Sequence, residues 1–425
     1  MENIILDNLS LILLLPLWIF LIIMCGRFFS VYVNNKIINF LTLFSSFLGV
    51  GICGAAFNNI SEPIEFLYPF IKINNFTISF GMQIDKLSLI IAMLLFIISF
   101  AVQLFSVTYM KNKQKNYKFF AFLNLFNFSM AFLLFSPNLF QFYVFWELVG
   151  IVSYLLIGFD YKNKEKSEAS RRVFLINRIG DTALISGIIL TSYFMYMYIE
   201  NKALVTLSFE DFNSISAFLM AYTTMPVFSI ICGLFILAAM VKSAQFPFYT
   251  WLQDAMEAEI PVSALLHSAT MVISGVYLVI RMMPFFTLLP VLMNIIAVIG
   301  ITTALICSIL ASIETHPKKI LAYSTSANLG LMFFALGLGY VKIALILLIA
   351  HAFIKSALFL ALPNDKNNDI EYGRFIFFSV NALCLAGILF SGVAPKELIF
   401  AGINNNILSI CLCRLRLLQG FISQD

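Results

Sequence analysis

Lys242 ends the apolar run GLFILAAMV and stands five residues before Pro247. An ammonium at bilayer depth costs about 3 kcal/mol on insertion scales, so a chain keeps one there only with a partner or a task. Proline cannot donate to the helical ladder, and the backbone groups freed at the break can line a polar cavity. Burial penalises the charged amine and a nearby carboxylate stabilises it, so a lysine whose partner withdraws can release a proton. A broken apolar helix carrying such a group suits an ion or proton path.

Other ionisable groups interrupt apolar runs in the same way. Glu147, in FYVFWELVGIVSYLLIGF, lies about eight residues into the apolar run that begins near 139, close to mid-membrane at about 1.5 Å per residue. A carboxyl there is either kept neutral or ionised against a cation; a merely helix-packing carboxyl leaves the cost of its burial unexplained. Arg178 and Asp181, three apart in FLINRIGDTALI, share one helix face. They either neutralise one another and fix packing, or supply Asp181 as a charge partner for Glu147. His267, in LLHSATMV, is either a proton relay through its two ring nitrogens or a hydrogen-bonded core histidine. His351 and Lys355, four apart in LLIAHAFIKSALFL, lie about 6 Å apart on one face, which fits a water-linked chain. Lys396 follows Pro395 in SGVAPKELIF, a second lysine at a second proline break. With Lys242 and Pro247 it forms an approximate internal repeat of the kind transporters use. His316 and Pro317, followed by Lys318 and Lys319, read as a solvated turn.

The elements that position these groups are membrane helices. The chain has 425 residues, 61% of them hydrophobic and only 11% charged, which leaves too little polar surface for a soluble fold of this length. Apolar runs predict twelve spans, near 9–24, 37–57, 87–109, 119–135, 139–159, 173–198, 217–251, 260–280, 288–313, 320–338, 342–362 and 375–400. The seventh and the twelfth are read as broken. Fifteen basic residues fall in loops after the odd-numbered spans and seven on the other side, which places the N-terminus outside and the lysine-rich loops inside. Asp254, Glu257 and Glu259 give one inner loop an acidic character, but acidic residues weigh little in that rule. Residues 58–86 form the longest outer loop and are expected to pack on the membrane face. Seven scattered cysteines without a CxxC pair read as small buried hydrophobes, and three dispersed histidines offer no evident metal or haem site. A net charge of +4 gives no ground for nucleic-acid binding. The N-terminus, with Glu2 and Asp7 and no basic region, argues for a retained first span over a cleaved signal peptide.

The segments FWELVGIVSYLLIGF (145–159), NRIGD (177–181), VKSAQFPFYTWLQDAM (241–256), IPVSALLHSATMVISGVYLVIR (260–281), KKILAYSTSANLGLMFFALG (318–337) and HAFIKSALFL (351–360) resemble the antiporter-like membrane subunits of respiratory complex I. The resemblance is strongest to the largest class of them, subunit L in bacteria and subunit 5 in mitochondria. It implies an all-α polytopic fold of about twelve transmembrane helices, two of them discontinuous, with inverted antiporter-like repeats. The expected division is 1–118 for helices 1–3 and the outer loop, 119–287 for the first repeat, 288–402 for the second, and 403–425 for a divergent tail. The resemblance assigns proton translocation to Glu147, Lys242, His267, His351, Lys355 and Lys396, with Arg178 and Asp181 as charge partners. The charge state of Glu147 would act on Lys242, which exchanges its proton through water and His267.

The same resemblance implies coupling to electron transfer in other subunits. NADH, FMN, iron–sulfur clusters and quinone would then sit on those partners, with no redox cofactor on this chain. Its own partners would be further complex I membrane-arm subunits, the lipid bilayer and protons. The bacterial inner membrane is the expected location, with the mitochondrial inner membrane as the alternative. Related sodium/proton (Mrp-type) antiporter subunits share the lysine and histidine motifs, while NRIGD favours the respiratory class. Three departures stand out: Leu347 replaces a further histidine of the family, the loop after the eleventh span is short, and the chain ends at Asp425 where the family continues. These raise a truncated or non-pumping paralogue as another expectation.

Overall fold

The computed structural model describes residues 2–29, 34–60, 62–73, 76–111, 115–198, 207–209 and 226–362. The twelfth span, Lys396 and the tail from 403 lie outside the described residues. The helices are α1 (Glu2–Phe28), α2 (Asn35–Asn59), α3 (Lys86–Tyr109), α4 (Asn116–Leu134), α5 (Leu139–Ile157) and α6 (Lys164–Tyr198). They continue as α7 (Pro226–Lys242), α8 (Ile260–Ser268), α9 (Met271–Arg281), α10 (Pro290–Ile313), α11 (Pro317–Gly337) and α12 (Val341–Leu360). Single turns Thr250–Asp254 and Met283–Phe286 link some of them. Among the described residues nine helical stretches, one of them α8 and α9 together, are long and apolar enough to cross a membrane, with shorter apolar helices at Leu13–Gly26 and Pro226–Lys242. Eleven of the twelve expected spans therefore fall on helices, and the fold is the expected multi-pass helical bundle.

The sequence marks many of the boundaries. Asp85 caps α3 through a reciprocal box with Ser88, accepting from its backbone N–H at 2.9 Å while the Ser88 hydroxyl accepts from that of Asp85. Asn138 caps α5 by accepting from the Gln141 N–H at 2.9 Å. Pro290 and Pro317 open α10 and α11, where a missing donor costs nothing. Small residues let α10 and α11 approach closely: a Cβ on Gly300 or on Gly330 would collide with backbone of the facing helix.

Three local differences from the expected layout have physical causes. The first lies in the outer loop, for which no strand is predicted, where β1 (Ile64–Ile73) and β2 (Phe76–Ile84) pair antiparallel. The Gln141 side-chain amide clamps this hairpin by donating to the Gly81 carbonyl and accepting from the Gly81 N–H, both at 2.8 Å. Asn138 donates to the Ser79 carbonyl at 2.6 Å, and the Gln83 N–H to that of Phe135 at 2.8 Å. The hairpin is thereby fixed to the α4–α5 turn. The second difference is at the start of α6, which begins at Lys164, so Lys164, Lys166, Arg171 and Arg172 stand on helix and not in a loop. The third is in the eighth span, which was expected as one helix over 260–280 and divides into α8 and α9 at Ala269 and Thr270. Neither glycine nor proline marks that break. The Thr270 hydroxyl donates to the Leu265 carbonyl at 2.6 Å, taking a side-chain bond where the ladder opens.

The acidic inner loop is balanced by its neighbours. Arg172 donates to both Asp254 oxygens, at 3.2 and 3.1 Å, and Lys166 donates to Glu259 at 2.9 Å. The Tyr109 hydroxyl donates to the same Glu259 carboxylate, and Lys318 donates to the Ala258 carbonyl at 3.1 Å. The loop therefore joins α3, α6 and α11 at the lysine-rich edge.

At the opposite edge Arg281 grips Asp85 with two hydrogen bonds of 2.6 and 2.8 Å. Its Nε donates to the Tyr277 hydroxyl at 2.9 Å, which donates in turn to the Leu134 carbonyl at 2.6 Å. Burial opposes ionisation of Asp85, but the Arg281 charge and the hydrogen bonds from Arg281 and Ser88 outweigh it and hold the carboxyl below its ordinary value. That contribution to stability is present above the unfolded aspartate range, near pH 4, and fades as pH falls through the lower folded value. Arg281→Leu strands the carboxylate and should destabilise the protein by about 3–5 kcal/mol. Adding Asp85→Asn should restore part of that loss. Thermal unfolding in detergent measures both, and equal stability of all three proteins would contradict the assignment.

Candidate functional site

Where α7 ends, the chain opens over Ser243–Tyr249, and the freed groups find specific partners. The Trp251 indole N–H donates to the Val241 carbonyl at 2.8 Å and the Ser243 hydroxyl to that of Val272 at 2.8 Å. The Phe246 N–H donates to the Thr303 hydroxyl at 2.9 Å. Ala244 takes a positive φ of 50°, and the Phe246–Pro247 peptide is cis. This turn holds Lys242, on the last residue of α7, inside the bundle with a side chain only 1% exposed.

Three helices build an ionic chain around that lysine. Arg178 of α6 donates to Glu147 of α5 through Nη2, and the same nitrogen lies 2.8 Å from Asp181 Oδ2. The contact with Asp181 is electrostatic, since that oxygen accepts no directed hydrogen bond. Asp181 Oδ1 stands 3.5 Å from Lys242 Nζ and accepts the Trp146 indole N–H at 2.7 Å. The ammonium lies 5.0 Å from the Trp146 ring centroid, within cation–π range. Gly150 leaves it room: a Cβ there would come within 3.4 Å of Nζ. Two carboxylates and two cations make a quartet that is neutral when all four are ionised. Lys242 and Asp181 are sealed, whereas Glu147 and Arg178 retain 16% and 34% exposure.

The quartet differs from the pairing expected from spacing. Asp181, not Glu147, touches Lys242 directly, and Glu147 reaches the lysine only through Arg178 and Asp181. Arg178 and Asp181 do lie close as an i, i+3 pair, but each also has a second partner. Trp146 and Gly150, which flank Glu147 at −1 and +3, were not among the expected site residues.

A second cluster joins α8, α11 and α12. The break after α8 frees the His267 carbonyl, which accepts from His351 Nε2 at 3.3 Å. His351 Nδ1 accepts from the Asn328 amide at 3.3 Å, so this network assigns a neutral His351 protonated at Nε2. The His267 ring is fully buried, its nitrogens bond to none of the described residues, and its centroid lies 5.9 Å from that of Phe359. Lys355 donates to the Ser324 hydroxyl and, at 3.3 Å, to the Leu321 carbonyl. No described carboxylate pairs with Lys355. Ser324 and Asn328 were missed as site residues. Their i, i+4 spacing in STSANLGL places them on the face of α11 that meets α12, and that stripe was the available signal.

The sequence profile described as NADH:quinone oxidoreductase/Mrp antiporter, TM matches residues 136–389. A second, described as NADH-Ubiquinone oxidoreductase (complex I), chain 5 N-terminus, matches residues 70–120. Similar proteins include the chloroplastic NAD(P)H-quinone oxidoreductase subunit 5 of Marchantia polymorpha, 41% identical over 70% of this chain and 42% of its own length. That of Nymphaea alba is 41% identical over 86% of this chain and 48% of its length. The chain thus spans under half the length of these relatives. Among solved structures, the Mrp complex from a Dietzia species gives a TM-score of 0.71 at 25% identity, covering 83% of this chain and 37% of that one. An archaeal membrane-bound sulfane sulfur reductase shares the fold at a TM-score of 0.65 and 16% identity, covering 90% of this chain and 86% of its own. The first profile match spans more than half of the residues and contains both charged clusters, and the chain belongs to the family of NADH:quinone oxidoreductase/Mrp antiporter membrane subunits.

Proposed function

We propose that the chain is a proton-translocating membrane-arm subunit of a NADH:quinone oxidoreductase. The observation that carries this reading is the ionic quartet Glu147–Arg178–Asp181–Lys242, which ends on a buried lysine at a helix break. Asp181 lies between two cations and can favour either. With Glu147 ionised, Arg178 is drawn outward and Asp181 steadies the Lys242 ammonium. When Glu147 is neutralised, Arg178 turns to Asp181, the hold on Lys242 weakens, and its proton is released. The event at Glu147 is therefore felt at Lys242 through salt-bridge exchange.

Beyond Lys242 the proton moves over His267, His351 and Lys355 towards Lys396. Buried oxygens of Gln245 and Ser263, and both His267 nitrogens, bond to no described protein group. Polar atoms of this kind are what ordered water bonds to in protein interiors, and water can link sites that do not touch. Residues 119–287 act as one antiporter-like repeat and 288–402 as the second. The redox chemistry, with NADH, FMN, iron–sulfur clusters and quinone, belongs to other subunits, and the driving event reaches this chain through its membrane-arm neighbours. The distribution of lysines favours an N-terminus outside an energy-transducing membrane of bacterial or organellar type.

Sodium/proton antiport is the second reading, favoured by the Mrp neighbour at 25% identity. The 41% identity to quinone oxidoreductase subunits supports the first. In reconstituted vesicles the first reading expects proton uptake that requires NADH oxidation. Uptake driven by a sodium gradient alone would overturn it.

Lys242→Ala should abolish coupled proton transport while the complex still assembles. Lys242→Arg keeps the charge but cannot give up its proton at physiological pH, so it should fail equally. Pumping at the original rate in either variant would contradict the role of Lys242. Asp181→Asn and Glu147→Gln separate the parts of the quartet. The first should impair assembly as well as transport, because it leaves Lys242 buried without a counter-charge. The second should impair transport alone, measured as pumped protons per quinone reduced.

A further inference from the structure

The basic residues at the lysine-rich edge fall into two groups. Arg172, Lys166 and Lys318 are engaged by the 254–259 loop, and Lys164 faces Glu168 at 3.9 Å. Lys115 and Lys118 differ. Both are half-buried, and among the described residues neither forms an ion pair. They line a cavity of about 200 Å³ between the start of α4, the end of α5 and the first turns of α6. Its lining is mixed: the two lysines, Tyr161, Ser167 and Ser170 are polar, and Phe122, Leu155 and Phe159 are apolar. Lys115 donates to the Tyr161 hydroxyl at 2.9 Å and lies 4.2 Å from that ring, which fixes one ammonium at the edge of the lining.

We propose that this cavity binds the headgroup of an anionic phospholipid. Two neighbouring lysines that pair with no described carboxylate leave positive charge to be balanced. Phe122 lies about 10 Å farther along α4 than Lys115, given the seven residues from one to the other, so a charged head and an apolar tail are both accommodated. Exposed Tyr154 also lines the cavity, an amphipathic ring of the kind that settles at a headgroup boundary. Basic pockets between membrane helices recognise acidic headgroups by this combination. At about 200 Å³ the space is smaller than the roughly 300–1,000 Å³ of pockets that enclose a whole drug-sized ligand, and suits a phosphate head whose chains lie outside. The lipid would tie the α4 start to the α5–α6 turn.

Native mass spectrometry of the full-length protein in detergent tests the site, using dioleoylphosphatidylglycerol, dioleoylphosphatidylcholine and inorganic phosphate as probes. The anionic lipid should be retained in preference to the zwitterionic one, and excess phosphate should not displace it. Lys115→Gln and Lys118→Gln should each weaken retention by about five-fold, the effect of one basic residue at a charged surface. Lys118→Arg should restore it, and Lys164→Gln, which alters an exposed neighbour, should leave it unchanged. An unaltered unfolding temperature separates lost binding from lost folding. Equal retention of both lipids would overturn the proposal, as would unchanged binding in the double lysine variant. Complete displacement by inorganic phosphate would also overturn it, by assigning the site to a soluble anion.

Discussion

Charge taken into a low-dielectric bundle has to be balanced, and the middle of this protein is arranged around that requirement. Lys242 is sealed from solvent, so its ammonium is tenable only because Asp181 stands 3.5 Å away. Asp181 is in turn held by the Trp146 indole and by Arg178, and Arg178 by Glu147. Each of the four depends on its neighbours, so altering the charge at one end unsettles the other. Such a chain is a poor source of stability and a good conductor of electrostatic change. The backbone follows the same constraint. The turn after α7 ends the helix at the lysine and satisfies the freed carbonyl of Val241 with Trp251, while Gly150 leaves space for the amine.

Two peripheral fastenings keep the central helices in register. At one edge Asp85 caps α3 and receives Arg281 from α9, while Tyr277 reaches α4. At the other, the acidic loop 254–259 gathers α3, α6 and α11 through Tyr109, Lys166, Arg172 and Lys318. That loop, which reads as an anomaly when charges are counted along the chain, is in space a counter-charge for α6. The second fastening holds the start of α6, the helix that carries Arg178 and Asp181 of the quartet.

The membrane helices and the ionisable groups within them could be read directly from sequence, because a charge within a twenty-residue apolar run is conspicuous whatever surrounds it. Lys242 at its proline break and the Arg178–Asp181 spacing are signals of that kind. Pairing between helices was less legible: periodicity places Glu147 and Lys242 on helices but not Asp181 between them. The break between α8 and α9 was hidden because Ser268 and Thr270 are ordinary residues in a membrane helix, and only tertiary partners show which carbonyls they serve. The hairpin at 64–84 was missed for a related reason, since its clamp, Gln141, lies some sixty residues away in an unrelated-looking helix. Asn328 and Ser324 are neutral polar side chains, and only their i, i+4 spacing within an apolar helix sets them apart from solvated ones.

The dependence of Lys242 on the far end of the quartet can be observed directly. Nitrogen NMR of lysine-labelled protein distinguishes an ammonium from a neutral amine, and Lys242→Arg identifies the resonance. At one fixed pH, Lys242 should be an ammonium in the unaltered protein and a neutral amine, in whole or in part, in Glu147→Gln. The same protonation state in both proteins would contradict the coupling on which this account of proton transfer rests.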